Sequence, residues 1–149
     1  MKKLSKVLAA TILSLLTITS CQKEEAIEKM VPAKTKAEIL VSKEWKLSAM
    51  TVDPPIFGQT DMYAMLSACE KDNTLKFSQG ASNTLLTDEG GNVCAGRDQQ
   101  TTTMWSLEND ELSMNGFVYK IHSMDEEKFT ASHDITMGGN TYKMTSTYQ

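Results

Sequence analysis

Leu112-Ser113-Met114-Asn115-Gly116-Phe117-Val118-Tyr119-Lys120-Ile121 is the stretch that decides the fold. Apolar residues recur at every second position on either side of Asn115-Gly116, the period of a strand with one face in a core and the other in water. Asn-Gly is the strongest short signal for a two-residue hairpin turn, because both central positions need positive φ. Such a turn sets Met114 opposite Phe117 and Leu112 opposite Tyr119. A slip of one residue would move the whole apolar set to the wrong face.

The same reading extends in both directions. Phe129, Ala131, His133 and Ile135 share one face. Gly138-Gly139 turns the chain, and Tyr142, Met144, Ser146 and Tyr148 return on the same side. Ile135 then faces Tyr142, and His133 faces Met144. Upstream, Trp45, Leu47 and Ala49 alternate with Lys46, Ser48 and Met50. Leu75 with Phe77, Thr84 to Thr87, and Thr103 with Trp105 and Leu107 supply three more strands. This pattern predicts an all-β fold, an eight-stranded up-and-down antiparallel barrel. Thr35-Lys36-Ala37-Glu38 fits a capping box, which predicts a short helical turn through Ile39, Leu40 and Val41 before the first strand. An immunoglobulin-like sandwich would need its cysteines in two facing sheets with a Trp packed on them. Cys69 and Cys94 fall in expected loops, which argues against it.

Composition bounds the function. The chain has 149 residues, 15 basic against 19 acidic, and a net charge of -4. That suits one domain and lacks the basic excess of a nucleic-acid binder. Lys2, Lys3 and Lys6 precede an uncharged run from Val7 to Thr19, too short to span a bilayer as a helix and shaped like a secretory signal. Ile18-Thr19-Ser20-Cys21 resembles a lipobox, so residues 1–20 are expected to be a lipoprotein signal peptide and Cys21 the lipidated residue. Loss of the three lysines leaves 12 basic against 19 acidic residues, a mature charge of −7. Acyl chains on Cys21 would anchor the protein to a membrane. Residues 21–34 read as a lipidated flexible tether, with a reach of at most about 45 Å beyond the cysteine. Gln22-Lys23-Glu24-Glu25 resembles the export signal of Bacteroidota-type surface lipoproteins. The expected location is the outer membrane, lipid-anchored and exposed at the cell surface.

With these residues placed, residues 35–149 read as the barrel domain, and Lys34 to Gln149 resemble the lipocalin-like domain of short Bacteroidota-type surface lipoproteins. The resemblance rests on the helical turn before Trp45, on Cys69-Glu70-Lys71-Asp72-Asn73 leading into Leu75-Lys76-Phe77, and on Asp88-Glu89-Gly90 before Cys94. Thr103-Met104-Trp105-Ser106-Leu107, Leu112-Ser113-Met114-Asn115-Gly116 and Gly139-Asn140-Thr141-Tyr142 complete it. The family usually carries Gly-Lys-Trp where this chain has Ser42-Lys43-Glu44-Trp45. Membership implies an eight-stranded barrel without a settled activity.

Up-and-down order places the 53–73 and 89–100 loops at the same end, so Cys69 and Cys94 are expected to form a disulfide, as an exported protein permits. The alternative is two free thiols. The 53–73 loop is long and contains Met62-Tyr63-Ala64-Met65-Leu66, suited to one or two helical turns. It reads equally as a lid over the barrel mouth or as a plug completing the core.

The sequence holds no nucleophile elbow, phosphate-binding glycine loop, His-Glu-x-x-His or Cys-x-x-Cys, so neither catalytic residues nor a cofactor are expected. Strand alternation points His122 outward and His133 inward, so they do not pair on a metal. The acids at 108–111 and 125–127 read as solvated turns. Tyr119, His133 and Met144 form one inward row and, with Trp105, are the candidate ligand-binding residues. Met50, Met104, Met114 and Met144 suit core filling or an adaptable pocket. The expected function is non-catalytic binding of a small apolar or amphipathic ligand. The alternative is an accessory subunit with a side-chain-filled barrel, presenting its loops to an envelope or host protein partner.

Overall fold

A computed structural model describes residues 32–149, whose compact unit runs from Ala33 to Gln149. The expected signal peptide (1–20), Cys21 and the tether as far as residue 31 lie outside the described residues.

The described chain begins with the expected cap. Helix α1 (Lys36–Leu40) is closed by Thr35, whose hydroxyl accepts from the Glu38 amide at 3.2 Å while the Glu38 carboxylate accepts from the Thr35 amide at 2.7 Å. Those bonds hold the Glu38 carboxyl below the usual carboxylate range. Ile39 and Leu40 turn into the core, and the Trp45 indole donates to the Leu40 carbonyl at 2.8 Å. The turn between them needs no glycine: the Ser42 hydroxyl donates to the Ile39 carbonyl, and Lys43 lies over the Trp45 ring.

Ten strands follow: β1 (Glu44–Ile56), β2 (Gln59–Asp61), β3 (Thr74–Ser78), β4 (Thr84–Asp88), β5 (Gln100–Met104), β6 (Ser106–Glu108), β7 (Glu111–Met114), β8 (Phe117–Met124), β9 (Phe129–Met137) and β10 (Asn140–Tyr148). Their order in the sheet is β5-β4-β3-β1-β10-β9-β8-β7-β6, all neighbours antiparallel, with β2 paired to β1 alone. The two ends, β5 and β6, are consecutive pieces of one strand bent at Trp105. The sheet therefore curls into a nearly closed barrel, with eight staves as read from the sequence. The extra strands come from that bend and from the β1–β2 hairpin.

Both hairpin registers stand as predicted: Met114 pairs with Phe117 and Leu112 with Tyr119, Ile135 with Tyr142 and His133 with Met144. Asn115 and Gly116 have φ of 50° and 81°, the left-handed pair this turn demands.

The first strand departs from simple alternation. Leu47 pairs with Tyr148 and Ala49 with Thr147, so Ser48 is an inserted bulge residue. Beyond it the faces exchange: Ala49, expected inside, is exposed, and Val52 is buried. The strand also runs on through Asp53-Pro54-Pro55 to Ile56 instead of breaking into a loop at 53. The helical turns expected at 62–66 are only turns, and the helix forms later, as α2 (Ala68–Lys71). Ser67 caps it, with Glu70 as the reciprocal partner, a stronger start signal than the apolar 62–66 run.

One pole is filled. Trp45 meets Phe129 edge-on at 4.9 Å, Phe129 stacks on Tyr148 at 4.6 Å, and Phe77 meets Trp105 edge-on at 5.4 Å. The Trp105 indole donates to the Ser78 carbonyl at 3.1 Å. These contacts, with α1 beneath them, close the barrel. At the opposite pole lie the 57–73 segment, the 89–99 loop and the turns at 115–116 and 138–139.

Candidate functional site

The open pole is built from two chain segments clipped together. Cys69 of α2 and Cys94 of the 89–99 loop form a disulfide, with Cα atoms 5.3 Å apart. Closing a loop of that length stabilises the fold by about 3.5 kcal/mol in the chain-entropy model. Beside it, Asp72 accepts from the amide and the side chain of Asn92, both at 3.0 Å. Gly90 makes this approach feasible. Its φ is +70°, and a Cβ there would stand 2.7 Å from the Asp72 carbonyl oxygen. Asp88 braces the far side, accepting from the Gly90 amide, Gln99 and Gln100. Those bonds hold its carboxyl below the ordinary range.

Within this frame sits a cavity in two connected parts that share Thr87, Arg97 and Asn115. The inner chamber, about 200 Å³, has Leu47, Leu75 and Tyr148 as its apolar floor and Glu70 and Asn73 at its edge. The outer vestibule, about 580 Å³, is bounded by Glu89, Asp98 and Phe117. The vestibule lies in the size range of pockets for small organic molecules, and the chamber is smaller. Polar and apolar groups are mixed in the lining of both parts.

Glu89 is the most unusual residue there. It is only 4% exposed. Its Oε1 accepts from Asn73 Nδ2 and from the Arg97 guanidinium, each at 3.3 Å. Its Oε2 is buried with no protein partner, and so is Asn73 Oδ1. Burial without a donor costs free energy, so such atoms mark a place where a further group belongs.

The predicted ligand-binding row is assembled at the same pole, to one side. The rings of Tyr119 and His133 are 4.5 Å apart, Phe117 lies 4.8 Å from His133, and Met144 pairs with His133 across the strands. Phe117, 47% exposed, carries the row into the vestibule. Burial lowers the His133 pKa against the opposing pull of Asp134, and burial raises that of Tyr119. Tyr148, lining the chamber, is raised further by burial and by nearby Tyr119. Trp105 stands apart, walled in against Phe77. Met104, expected to fill a gap, is exposed, while Met114 and Met144 are buried.

Sequence reasoning missed Glu89, Arg97 and Asn73. Asn73 and Glu89 belong to the Cys69–Asn73 and Asp88–Gly90 pieces that carried the family resemblance, and up-and-down order placed both pieces at one end. Nothing local to either piece says that they touch.

The family model of the lipocalin-like domain matches residues 41–147, from the end of α1 almost to the end of β10. The chain belongs to that family. No curated protein matches the sequence. The lipocalin-like barrel accounts for the shape of the site: an eight-stave barrel is wide enough to be filled by side chains or to hold one small ligand. Here the filled part is the α1 pole and the open part is the mouth. The 57–73 segment is a rim to that mouth. None of its residues joins the hydrophobic core, so it does not plug the lipocalin-like barrel.

A separate groove of about 320 Å³ lies on the outer wall, bordered by Lys120, His122, Ser132, Asp134 and Lys143. His122 points outward as expected, and its Nε2 is 2.7 Å from the Ser132 hydroxyl. A bulge at His122 makes that bond. Among the described residues no acid hydrogen-bonds the other ring nitrogen, so the pair lacks the orienting group of a catalytic triad. No three His, Cys, Asp or Glu side chains among the described residues are grouped to hold a metal. The acids of the 108–111 and 125–127 turns instead meet lysines: Asp110 with Lys36, and Glu126 with Lys34 at 3.0 Å.

Proposed function

We propose that this lipocalin-like protein is a non-catalytic, lipid-anchored envelope protein that binds a small apolar or amphipathic molecule in the mouth of its barrel. The observation that carries the reading is the two-part cavity, in which the apolar side chains of Leu47, Leu75 and Tyr148 lie beside the polar groups of Asn73, Glu89 and Arg97. A ligand with one apolar and one polar end matches that mixed lining. The Ser132–His122 pair sits on the outer wall, outside this cavity, which supports a binding role over catalysis.

Anchoring rests on the lipobox-like Ile18-Thr19-Ser20-Cys21, and surface exposure on the acidic run after the cysteine. Lys34 and Lys36 are tied to turns at the closed pole. Cys21→Ser is expected to abolish acylation and release the protein from membranes. Unchanged membrane retention would defeat the anchor.

Native mass spectrometry of protein purified from its own host tests the binding reading. Retention of a small molecule, lost on extraction with organic solvent, is the expected result. No retained mass, together with no response to titration with lipids or haem-like compounds, would favour the second reading. In that reading the protein is an accessory subunit that meets an envelope or host protein through its loops. Its specific support is Phe57, 97% exposed at the tip of the β1–β2 hairpin.

A further inference from the structure

The cavity carries information about the head group of its occupant. Glu89 is a carboxylate sunk into the wall, and among the described residues the charged group that reaches it is Arg97. Arg97 extends from the 89–99 loop and touches Oε1 with one nitrogen at 3.3 Å, while its side chain stays 54% exposed. The contact is single, and its guanidinium side faces solvent. Beneath it, Glu89 Oε2 and Asn73 Oδ1 lack donors. Both residues are linked through the Asn73 Nδ2 to Glu89 Oε1 bond, so these acceptors belong to one cluster. The donors that reach Glu89 Oε1 are Arg97 and the Asn73 amide. Glu70 and Asp98 add negative charge to the lining, and Arg97 is its sole basic residue.

The guanidinium of Arg97 therefore shows what chemistry the carboxylate accepts: a cation with several N–H donors. We propose that the mouth binds amphipathic molecules with a cationic nitrogen head, a primary amine or a guanidinium-type group, which takes the place of Arg97 on Glu89. The short apolar tail lies over Leu47, Leu75 and Tyr148. This proposal rests on the binding reading above and adds to it the chemistry of the head. The small inner chamber limits the tail to a short chain or a single ring.

The test uses three probes with one tail: octylamine, octanoate and octanol, each displacing the neutral dye N-phenyl-1-naphthylamine from the soluble domain, residues 33–149, which forms the compact unit. Octylamine is expected to displace at a concentration at least about tenfold lower than the other two, the difference that one charge-assisted hydrogen bond confers. Removing the competitor should strengthen the preference, so Arg97→Gln is expected to bind octylamine more tightly than the parent. Glu89→Gln is expected to erase the preference for octylamine over octanol. Equal displacement by all three probes would overturn the head-group assignment and leave the binding reading standing. Tighter octanoate binding, lost in Arg97→Gln, would overturn it in favour of an anionic head. Failure of the dye and all three probes to bind would overturn the assignment and the binding reading together. The parent protein alone decides among these outcomes, so a Glu89→Gln variant that does not fold leaves the test intact.

Discussion

The two poles of the barrel solve opposite problems. At the closed pole Trp45, Phe77, Phe129 and Leu112 are buried against one another, both indole N–H groups donate to backbone carbonyls, and a capped helix covers the end. At the mouth the chain is held by a disulfide and a net of carboxylate hydrogen bonds, and the buried acceptors Asp72 Oδ1, Asn73 Oδ1 and Glu89 Oε2 have no protein donor. Burial scales with apolar area, so the closed pole supplies most of the stability. The mouth keeps polar groups in reserve, and that is where recognition can occur.

The largest test of this contrast is Trp45→Ala. It empties a site touched by Phe129, Lys43 and the α1 carbonyl and should cost about 3–5 kcal/mol, read as a fall in the urea midpoint. A loss below about 1 kcal/mol would mean that the closed pole is not the stability core. Next, replacing Cys69 and Cys94 together by Ser should cost about 3 kcal/mol on the same scale. Amide exchange should then quicken at 62–73 and 89–99 and stay slow in β8 to β10. Uniform quickening would erase the distinction between the poles.

Gly90→Ala is the sharper probe of the mouth, because it forces a positive-φ backbone and a Cβ into the Asp72 carbonyl. We expect a loss of about 1–3 kcal/mol and weaker dye binding, with the α1 amides unaffected. The smallest effect is on pH. His133 has a lowered pKa in the folded barrel, so below the ordinary value of 6.5 the unfolded chain takes up a proton that the folded one refuses. Stability from this group is therefore intact above pH 6.5 and declines as pH falls below it. A second decline belongs to the carboxyls of Glu38, Glu70, Asp88, Asp110 and Asp125, all lowered from their ordinary values by hydrogen bonds. Their share is intact above those ordinary values and is lost as pH falls through the lower folded ones. His133→Gln should remove the first decline and leave the second, measured as urea midpoint against pH.

Much of the wall was legible from the sequence. Two-residue turns at 115–116 and 138–139 set the pairing of four strands, because a turn and a period of two are both local properties. The capping box at Thr35 and the cysteine pairing were legible for related reasons, one local and one following from up-and-down order. The bulge at Ser48 was not, since alternation looks regular through Ala49 and only pairing with β10 forces the extra residue out. Helix α2 was misplaced because an apolar run at 62–66 outweighed the quieter capping pair Ser67 and Glu70.

The site divides in the same way. Tyr119, His133 and Met144 could be put in one row from strand register, and their ring contacts follow from it. Asn73, Glu89 and Arg97 lie in or beside loops, where no period relates one residue to another. The sequence by itself determined the fold class, the hairpin registers and the residues of the inner wall, because alternation and turn chemistry act over a few residues. Only the tertiary structure decided that a carboxylate from one loop, an amide from a second and a guanidinium beyond the disulfide share one opening, because that meeting depends on how the barrel closes.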